Sequence, residues 1–167
     1  MDFNKIPEVM KQEALWCIWK KGKIPCNPQN PSCNAKSNDK NTFSDFETAR
    51  KTFENGEYEG LGIGIFNGFS AIDIDHCIEN GKLSDLAKDI IDKMGSYTEI
   101  SPSGTGIHII FTVKDFEYNK DLYYVNNQKS GLEVYVSGAT SKFVTITGNA
   151  FNNNPVVDGS LVLQKIL

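Results

Sequence analysis

Apolar residues recur along the chain with two different periods, and the change from one to the other predicts its elements. Over residues 6–20, Val9, Ala14, Leu15, Ile18 and Trp19 suit the buried stripe of an amphipathic helix that ends before Lys20-Lys21-Gly22. Residues 22–41 are rich in Pro, Asn, Ser and Lys, lack an apolar period, and predict an irregular segment. Ser44-Asp45-Phe46-Glu47 then has capping-box spacing, in which a hydroxyl and a carboxylate satisfy the first free amides of a helix, here predicted through about Glu54.

From Gly60 the period becomes two. LGIGIF and FSAIDID flank Asn67-Gly68, a pair that tolerates the positive φ of a type I′ turn, so two antiparallel strands are predicted to pair across it. Leu83, Leu86, Ala87, Ile90, Ile91 and Met94 fall at three- and four-residue steps and predict a helix with one buried face, ending at Gly95. Residues 97–101 and 106–113 read as strands around the turn Pro102-Ser103-Gly104-Thr105, and 132–137 with 142–147 as another strand pair. The polar and aromatic stretch 114–130 has no period, and Asn126 to Ser130 reads as an exposed loop. The expected fold class is α+β, with a mostly antiparallel central sheet and flanking helices. One domain is expected over 1–167, with a helical and irregular lead-in at 1–56 and a core at 60–150.

Charge and composition narrow the function classes. A net charge of −4 carries no broad basic signature, so any grip on nucleic acid must be local or assisted by bound cations. Cys17, Cys26, Cys33 and Cys77 form no CxxC pair, and His76 and His108 are the only histidines, which argues against a zinc knuckle. The start MDFNKIPEVM lacks a basic stretch before an apolar core, and no apolar run approaches the ~20 residues of a membrane span. A cytoplasmic protein with reduced thiols and no membrane contact is expected.

The candidate chemistry lies in three short strands. In Ala71-Ile72-Asp73-Ile74-Asp75, alternation sends Ile72 and Ile74 to one face and Asp73 and Asp75 to the other. Two carboxylates a few ångströms apart repel by about 4 kcal/mol at an effective dielectric near 20, a cost that a divalent cation reverses. Hard oxygen ligands suit magnesium or manganese. In Leu132-Glu133-Val134-Tyr135-Val136 the parity repeats, and Glu133 is the candidate third ligand, with Tyr135 on its face. Each such acid alone is commonplace on the solvent side of a strand, yet aspartate is disfavoured in strands, so two in one strand ask for a reason.

Ser101-Pro102-Ser103-Gly104-Thr105-Gly106 places hydroxyls and glycines in a tight turn that could present hydroxyls and backbone amides to a phosphate. His108 shares a face with Gly106 and Ile110, so its imidazole points the way the turn points and could donate to a triphosphate oxygen. His76 has the opposite parity to Asp75 and reads as structural. Lys20, Lys21 and Lys23 read as solvated surface, and Lys142 as a positive charge available to the same cleft.

In this order, AIDIDH, SPSGTGIHI, GLEVYVSG and KFVTITGN resemble the motif set of the archaeo-eukaryotic primase superfamily, most of all the primase-polymerase domains of phage, plasmid and mobile-element replication proteins. The likeness is close over residues 60–150. It is looser before that, through Trp16, Lys23-Ile24-Pro25 and the helix start from Thr42-Phe43 to Ala49. The resemblance implies a catalytic core with an RRM-like half and an N-terminal α/β unit, and two-metal nucleotidyl transfer with Asp73, Asp75 and Glu133 holding two Mg2+ or Mn2+ ions. It assigns the triphosphate of a dNTP or NTP to Ser101, Ser103, Gly104, Gly106, His108 and Lys142, while Tyr135, by sharing a face with Glu133, is the candidate for sugar discrimination. Template DNA, a primer and a helicase or helical accessory domain are the implied partners, with the fragment expected as a monomer lacking that accessory region. Gly106 departs from the serine frequent two residues before the histidine, and Lys142 replaces a frequent arginine with a point charge. A non-catalytic nucleotide- or DNA-binding module, or a metal-dependent nuclease, are the other readings of the same residues.

Overall fold

The computed structural model describes residues 1–114, 126–127 and 131–166, and builds them around two five-stranded antiparallel sheets. In chain order the elements are α1 (Glu8–Glu13), β1 (Trp16–Lys20), β2 (Ile24–Asn27), β3 (Asn30–Asn34), α2 (Phe46–Glu54), β4 (Gly60–Gly64) and β5 (Phe69–Ile74). There follow β6 (Ile78–Glu79), β7 (Lys82–Leu83), α3 (Asp85–Met94), β8 (Thr98–Ile100) and β9 (Ile107–Thr112). The last are β10 (Asn126–Asn127), β11 (Leu132–Tyr135), β12 (Phe143–Ile146) and a C-terminal helix α4 (Ser160–Ile166). The first sheet runs β12-β4-β1-β2-β3 and the second β10-β11-β5-β9-β8, with β6-β7 a separate small hairpin.

The helices form where local chemistry fixes their ends. Ser84 Oγ accepts the Ala87 amide at 3.2 Å to open α3, and Gly95 closes it in the left-handed conformation at φ 60°. Ala87, Ile90, Ile91 and Met94 are its buried stripe, whereas Leu86 stays 41% exposed and Leu83 belongs to β7. In α2 the cap is Asp45, whose Oδ1 accepts the Thr48 amide at 2.7 Å, and this lowers the Asp45 pKa. The capping box expected from Ser44 is thus shifted by one residue.

Three expectations from periodicity are corrected. The helix over 6–20 stops at Glu13, and Trp16–Lys20 is a strand. Trp16, Cys17 and Ile18 have no exposed surface, because β1 lies inside the first sheet, and a strand buried on both faces shows a continuous apolar run instead of alternation. The irregular segment 22–41 contains the β2–β3 hairpin, in which Pro31, Asn30 and Asn34 are tolerated because β3 is an edge strand. Of the three strand pairs predicted in the core, β8 and β9 pair as expected, whereas the other two turn without pairing. Asn67 and Gly68 have the positive φ values of a type I′ turn, 58° and 85°, yet β4 pairs with β1 and β12 while β5 pairs with β9 and β11. Likewise β11 joins the second sheet and β12 the first. Each turn is a crossing between sheets, and two sheets replace the single central one. The α+β class and the antiparallel pairing of the strands hold.

The first sheet takes β1, β2 and β3 from before residue 57 and β4 and β12 from after it. Of the expected loop 126–130, Asn126–Asn127 form β10 against β11, and 128–130 lie outside the described residues. No helix among the described residues is long and apolar enough to cross a membrane.

Two apolar layers result. One face of the second sheet, with Ile72, Ile74, Ile107, Ile109, Phe111 and Val134, is covered by Ala87, Ile90, Ile91 and Met94 of α3 and Leu163 of α4. The other face, with Phe69, Ala71, Tyr97 and Ile110, meets Leu61, Ile63, Val144 and Ile146 of the first sheet. Each fully buried Ile or Phe contributes roughly 1.5–3 kcal/mol, so both layers fix the register of β5 strongly. Asp73 follows Phe69 and Ala71 on the inter-sheet face, at the place where that layer turns from apolar to polar.

Candidate active site

A row of ionisable side chains crosses the second sheet at one level. Glu99 of β8 stands opposite His108 of β9, His108 opposite Asp73 of β5, and Asp73 opposite Glu133 of β11. All share the inter-sheet face, so the parities expected for Asp73, His108 and Glu133 are found. Residues facing each other in neighbouring strands have Cβ atoms about 5 Å apart, which is where carboxylates feel one another.

Asp73 and His108 face each other as an ion pair without a hydrogen bond between them. The His108 ring is buried, and its Nδ1 lies 3.0 Å from the Thr145 carbonyl of β12, so Nδ1 carries a hydrogen and donates it. Nε2 then faces Asp73 Oδ1 at 3.5 Å. A neutral ring would turn a lone pair on a carboxylate there, so either the ring is cationic or the acid is protonated. Both groups are displaced in the matching direction. Burial raises the Asp73 carboxyl to about 6, helped by the charges of Asp75 and Glu133 and opposed by those of His108 and Lys23. Burial alone pushes the His108 pKa down, but the Glu99 and Asp73 carboxylates and the Thr145 carbonyl outweigh it and carry it up. Asp73 Oδ1 is also buried without a hydrogen-bond partner among the described residues, an orphaned hard acceptor.

Asp75 lies just past the end of β5, exposed, with its amide donating to the Gly131 carbonyl at 2.9 Å. Its backbone is held between two glycines that could carry no side chain. A Cβ on Gly106 would lie 2.8 Å from the Ile74 carbonyl oxygen, and one on Gly131, at φ 68°, would lie 2.7 Å from the Asp75 carbonyl oxygen. The Ser101–Gly106 turn is therefore pressed against the second aspartate. Within the turn, Ser101 Oγ accepts the Gly106 amide at 3.1 Å, the Ser101 carbonyl accepts the Gly104 amide at 2.9 Å, and Ser103 Oγ accepts the Thr105 amide at 3.3 Å. This corrects the expected amide cradle, because those three amides are committed inside the turn. Ser101 is buried and braces the turn, whereas the Ser103 and Thr105 hydroxyls, 2.9 Å apart, are exposed.

Glu133 is half-buried and its Oε2 accepts the Tyr135 hydroxyl at 2.6 Å. Burial and that carboxylate raise the Tyr135 pKa, so the phenol remains a donor. Among the described residues no three His, Cys, Asp or Glu side chains converge closely enough to enclose a metal ion. The donor set nevertheless fits Mg2+ or Mn2+. It offers three carboxylates at neighbouring positions, one with an orphaned oxygen and two, Asp75 and Glu133, with enough exposure to rotate.

Lys142 is not brought into the row. It is exposed, three residues before Thr145, or about 10 Å along an extended strand, and pairs with no acid among the described residues. The cation whose charge reaches Asp73 is Lys23, exposed in the turn between β1 and β2 with φ 55°. His76 is exposed at φ 53°, a turn residue beyond Asp75. Glu99, the buried end of the row, was not expected from sequence.

An antiparallel α+β domain with its acids on a central strand, a histidine across from them and a serine-glycine turn at the strand end has the layout implied by the archaeo-eukaryotic primase motifs. The resemblance is borne out by a known protein: the chain is 35% identical over 157 residues to a DNA primase-polymerase of Nitratiruptor phage NrS-1, a match covering 89% of this chain. The chain spans 21% of that relative's length. No family model matches the chain.

Proposed function

We propose that the chain is the nucleotidyl-transfer domain of a phage or mobile-element DNA primase-polymerase, adding nucleotides to a primer 3′-hydroxyl on template DNA with release of pyrophosphate. One observation carries this reading. The row joins an orphaned strand carboxylate to a histidine on one side and a glutamate on the other, in a chain similar to a primase-polymerase.

Asp73, Asp75 and Glu133 would hold two divalent ions, Mg2+ or Mn2+, after Asp75 turns inward and Glu133 leaves the Tyr135 hydroxyl. Bound there, such ions make the attacking hydroxyl more acidic and neutralise the departing pyrophosphate. The chain's own groups do the rest. With Asp73 ionised, a cationic His108 carries a hydrogen on Nε2 as well as on Nδ1 and would donate the Nε2 hydrogen to a triphosphate oxygen. The Ser103 and Thr105 hydroxyls supply further donors, while Ser101, Gly104 and Gly106 shape the turn that presents them. Tyr135, two residues from Glu133 on the same face, would meet the sugar. Lys142 and Lys23 are the cations available to the triphosphate or to nucleic acid.

The incoming dNTP or NTP, the template and the primer are the proposed partners, with a helicase or helical accessory domain supplied beside this domain. Action in the bacterial or phage-infected host cytoplasm, as a monomeric unit, belongs to the same reading. Extension of an existing primer is proposed over initiation. The test is incorporation of dNTPs on a primed template with Mn2+. Wild-type chain is expected to extend the primer and Asp73→Ala to leave it unextended, whereas undiminished synthesis by Asp73→Ala sinks the assignment.

A further inference from the structure

Glu99 has no exposed surface, although it lies on a three-residue strand where an acid would ordinarily face water. A buried carboxylate persists only where its oxygens are satisfied. Both are: Oε1 accepts the Thr147 amide at 2.8 Å, and Oε2 accepts the Gly148 amide at 3.1 Å and the Tyr97 hydroxyl at 2.9 Å. Thr147 and Gly148 directly follow β12 of the first sheet, and Glu99 belongs to β8 of the second. The carboxylate is therefore a clamp between the sheets, at the level of the row.

The same clamp fixes His108. Its Nδ1 donates to Thr145, two residues before the amides that Glu99 holds, and lies 3.8 Å from Glu99 Oε1, too far for a hydrogen bond but close enough for charge to act. The ring thus sits between a carbonyl whose strand Glu99 holds in place and the Glu99 carboxylate itself. That leaves Nε2 aimed along the row at Asp73. Conversely, no described atom of Glu99 is placed to touch a bound nucleotide directly, because the carboxylate is enclosed on all sides.

We propose that Glu99 is a positioning residue for the triphosphate, acting through His108: it fixes the ring and directs its Nε2 hydrogen toward the phosphates. The inference rests on the reading of His108 as a triphosphate contact. A role through His108 has a signature that a purely structural role lacks, since removing His108 should make Glu99 irrelevant to nucleotide affinity.

The experiment is a double-mutant cycle on the full 167-residue chain: wild type, His108→Asn, Glu99→Gln and the pair. Binding of dATP in the presence of Mn2+ is measured by calorimetry, alongside a thermal melt of each variant. Loss of one charge-assisted hydrogen bond corresponds to about tenfold or more in affinity, so His108→Asn and Glu99→Gln are each expected to bind dATP about tenfold more weakly, and the pair no more weakly than His108→Asn. Glutamine turns one acceptor into a donor facing an amide. Should its melt show an unfolded chain, Glu99→Asp, which keeps the charge but draws it back from the ring, takes its place in the cycle with the same expectation. Wild-type affinity in a folded Glu99 variant, or losses that multiply in the pair, overturn the proposal while leaving the His108 reading intact. Wild-type affinity in His108→Asn overturns that reading, and the positioning role with it.

Discussion

Replacing Asp73 by Asn removes a charge that the folded chain carries at a cost. Its carboxyl titrates at about 6 against an ordinary 3.8, a difference of about 2 units, or roughly 3 kcal/mol at ~1.4 kcal/mol per unit. A raised carboxylate pKa means that the folded chain holds this proton more tightly than the unfolded one. Below about pH 4 the acid is protonated in both states and contributes no difference; as pH rises through 6 the unfolded chain ionises more readily and stability is lost. The amide does not titrate and escapes that loss. In chelator at pH 8, Asp73→Asn is therefore expected to exceed wild type in stability by up to about 3 kcal/mol, a figure already net of the attraction to His108, less the screening allowed by 17% exposure. At pH 4 the advantage should vanish. Urea unfolding followed by the fluorescence of Trp16 and Trp19, both nearly inaccessible to solvent, measures the difference at each pH. Saturating Mn2+ should reverse the order by stabilising wild type alone. A variant no more stable than wild type at pH 8 in chelator, or one with the same advantage at pH 4, refutes the picture of a strained, cation-seeking carboxylate.

The same proton governs ligand binding: Mn2+-dependent dNTP affinity should fall about tenfold per pH unit below 6, and calorimetry at pH 5 and 7.5 that gives equal values contradicts this. Gly106→Ala places a Cβ 2.8 Å from the Ile74 carbonyl oxygen and must displace the end of β5, so primer extension should drop at least about tenfold while circular dichroism keeps its native form. Asp45→Ala removes the N-cap of α2, far from the row, and should cost about 1 kcal/mol in urea unfolding with extension unchanged.

What could be read from sequence was local. The cap of α2, the end of α3 at Gly95 and the type I′ turn at Asn67-Gly68 depend on a few adjacent residues, and all are present at or within one residue of their expected places. The parities of Asp73, His108 and Glu133 were legible because each strand alternates around an apolar set that must be buried. Partner choice was not legible: β4 and β5 are both interior strands needing two neighbours each, and nothing in a turn says whether the chain pairs across it or crosses to another sheet. β1 was missed because burial of Trp16, Cys17 and Ile18 erases alternation. Glu99 looked like any strand acid, since the amides that hold it come from Thr147 and Gly148, nearly fifty residues away. A signal did exist. Counting outward from the turn Pro102-Ser103-Gly104-Thr105 pairs 100 with 107 and 99 with 108, so the hairpin register by itself sets a carboxylate beside the histidine.

The most direct measurement of whether the row is a metal and triphosphate site is a calorimetric titration of dATP into the chain with Mn2+, with Mg2+ and with chelator, comparing wild type with Glu133→Gln. Among the described residues Glu133 keeps no buried partner beyond the Tyr135 hydroxyl, so its amide variant should fold as wild type does. Saturable binding that requires the metal and weakens at least about tenfold in Glu133→Gln is expected, given the worth of a carboxylate ligand. Binding that is absent from wild type, or indifferent to both the metal and Glu133, contradicts the assignment.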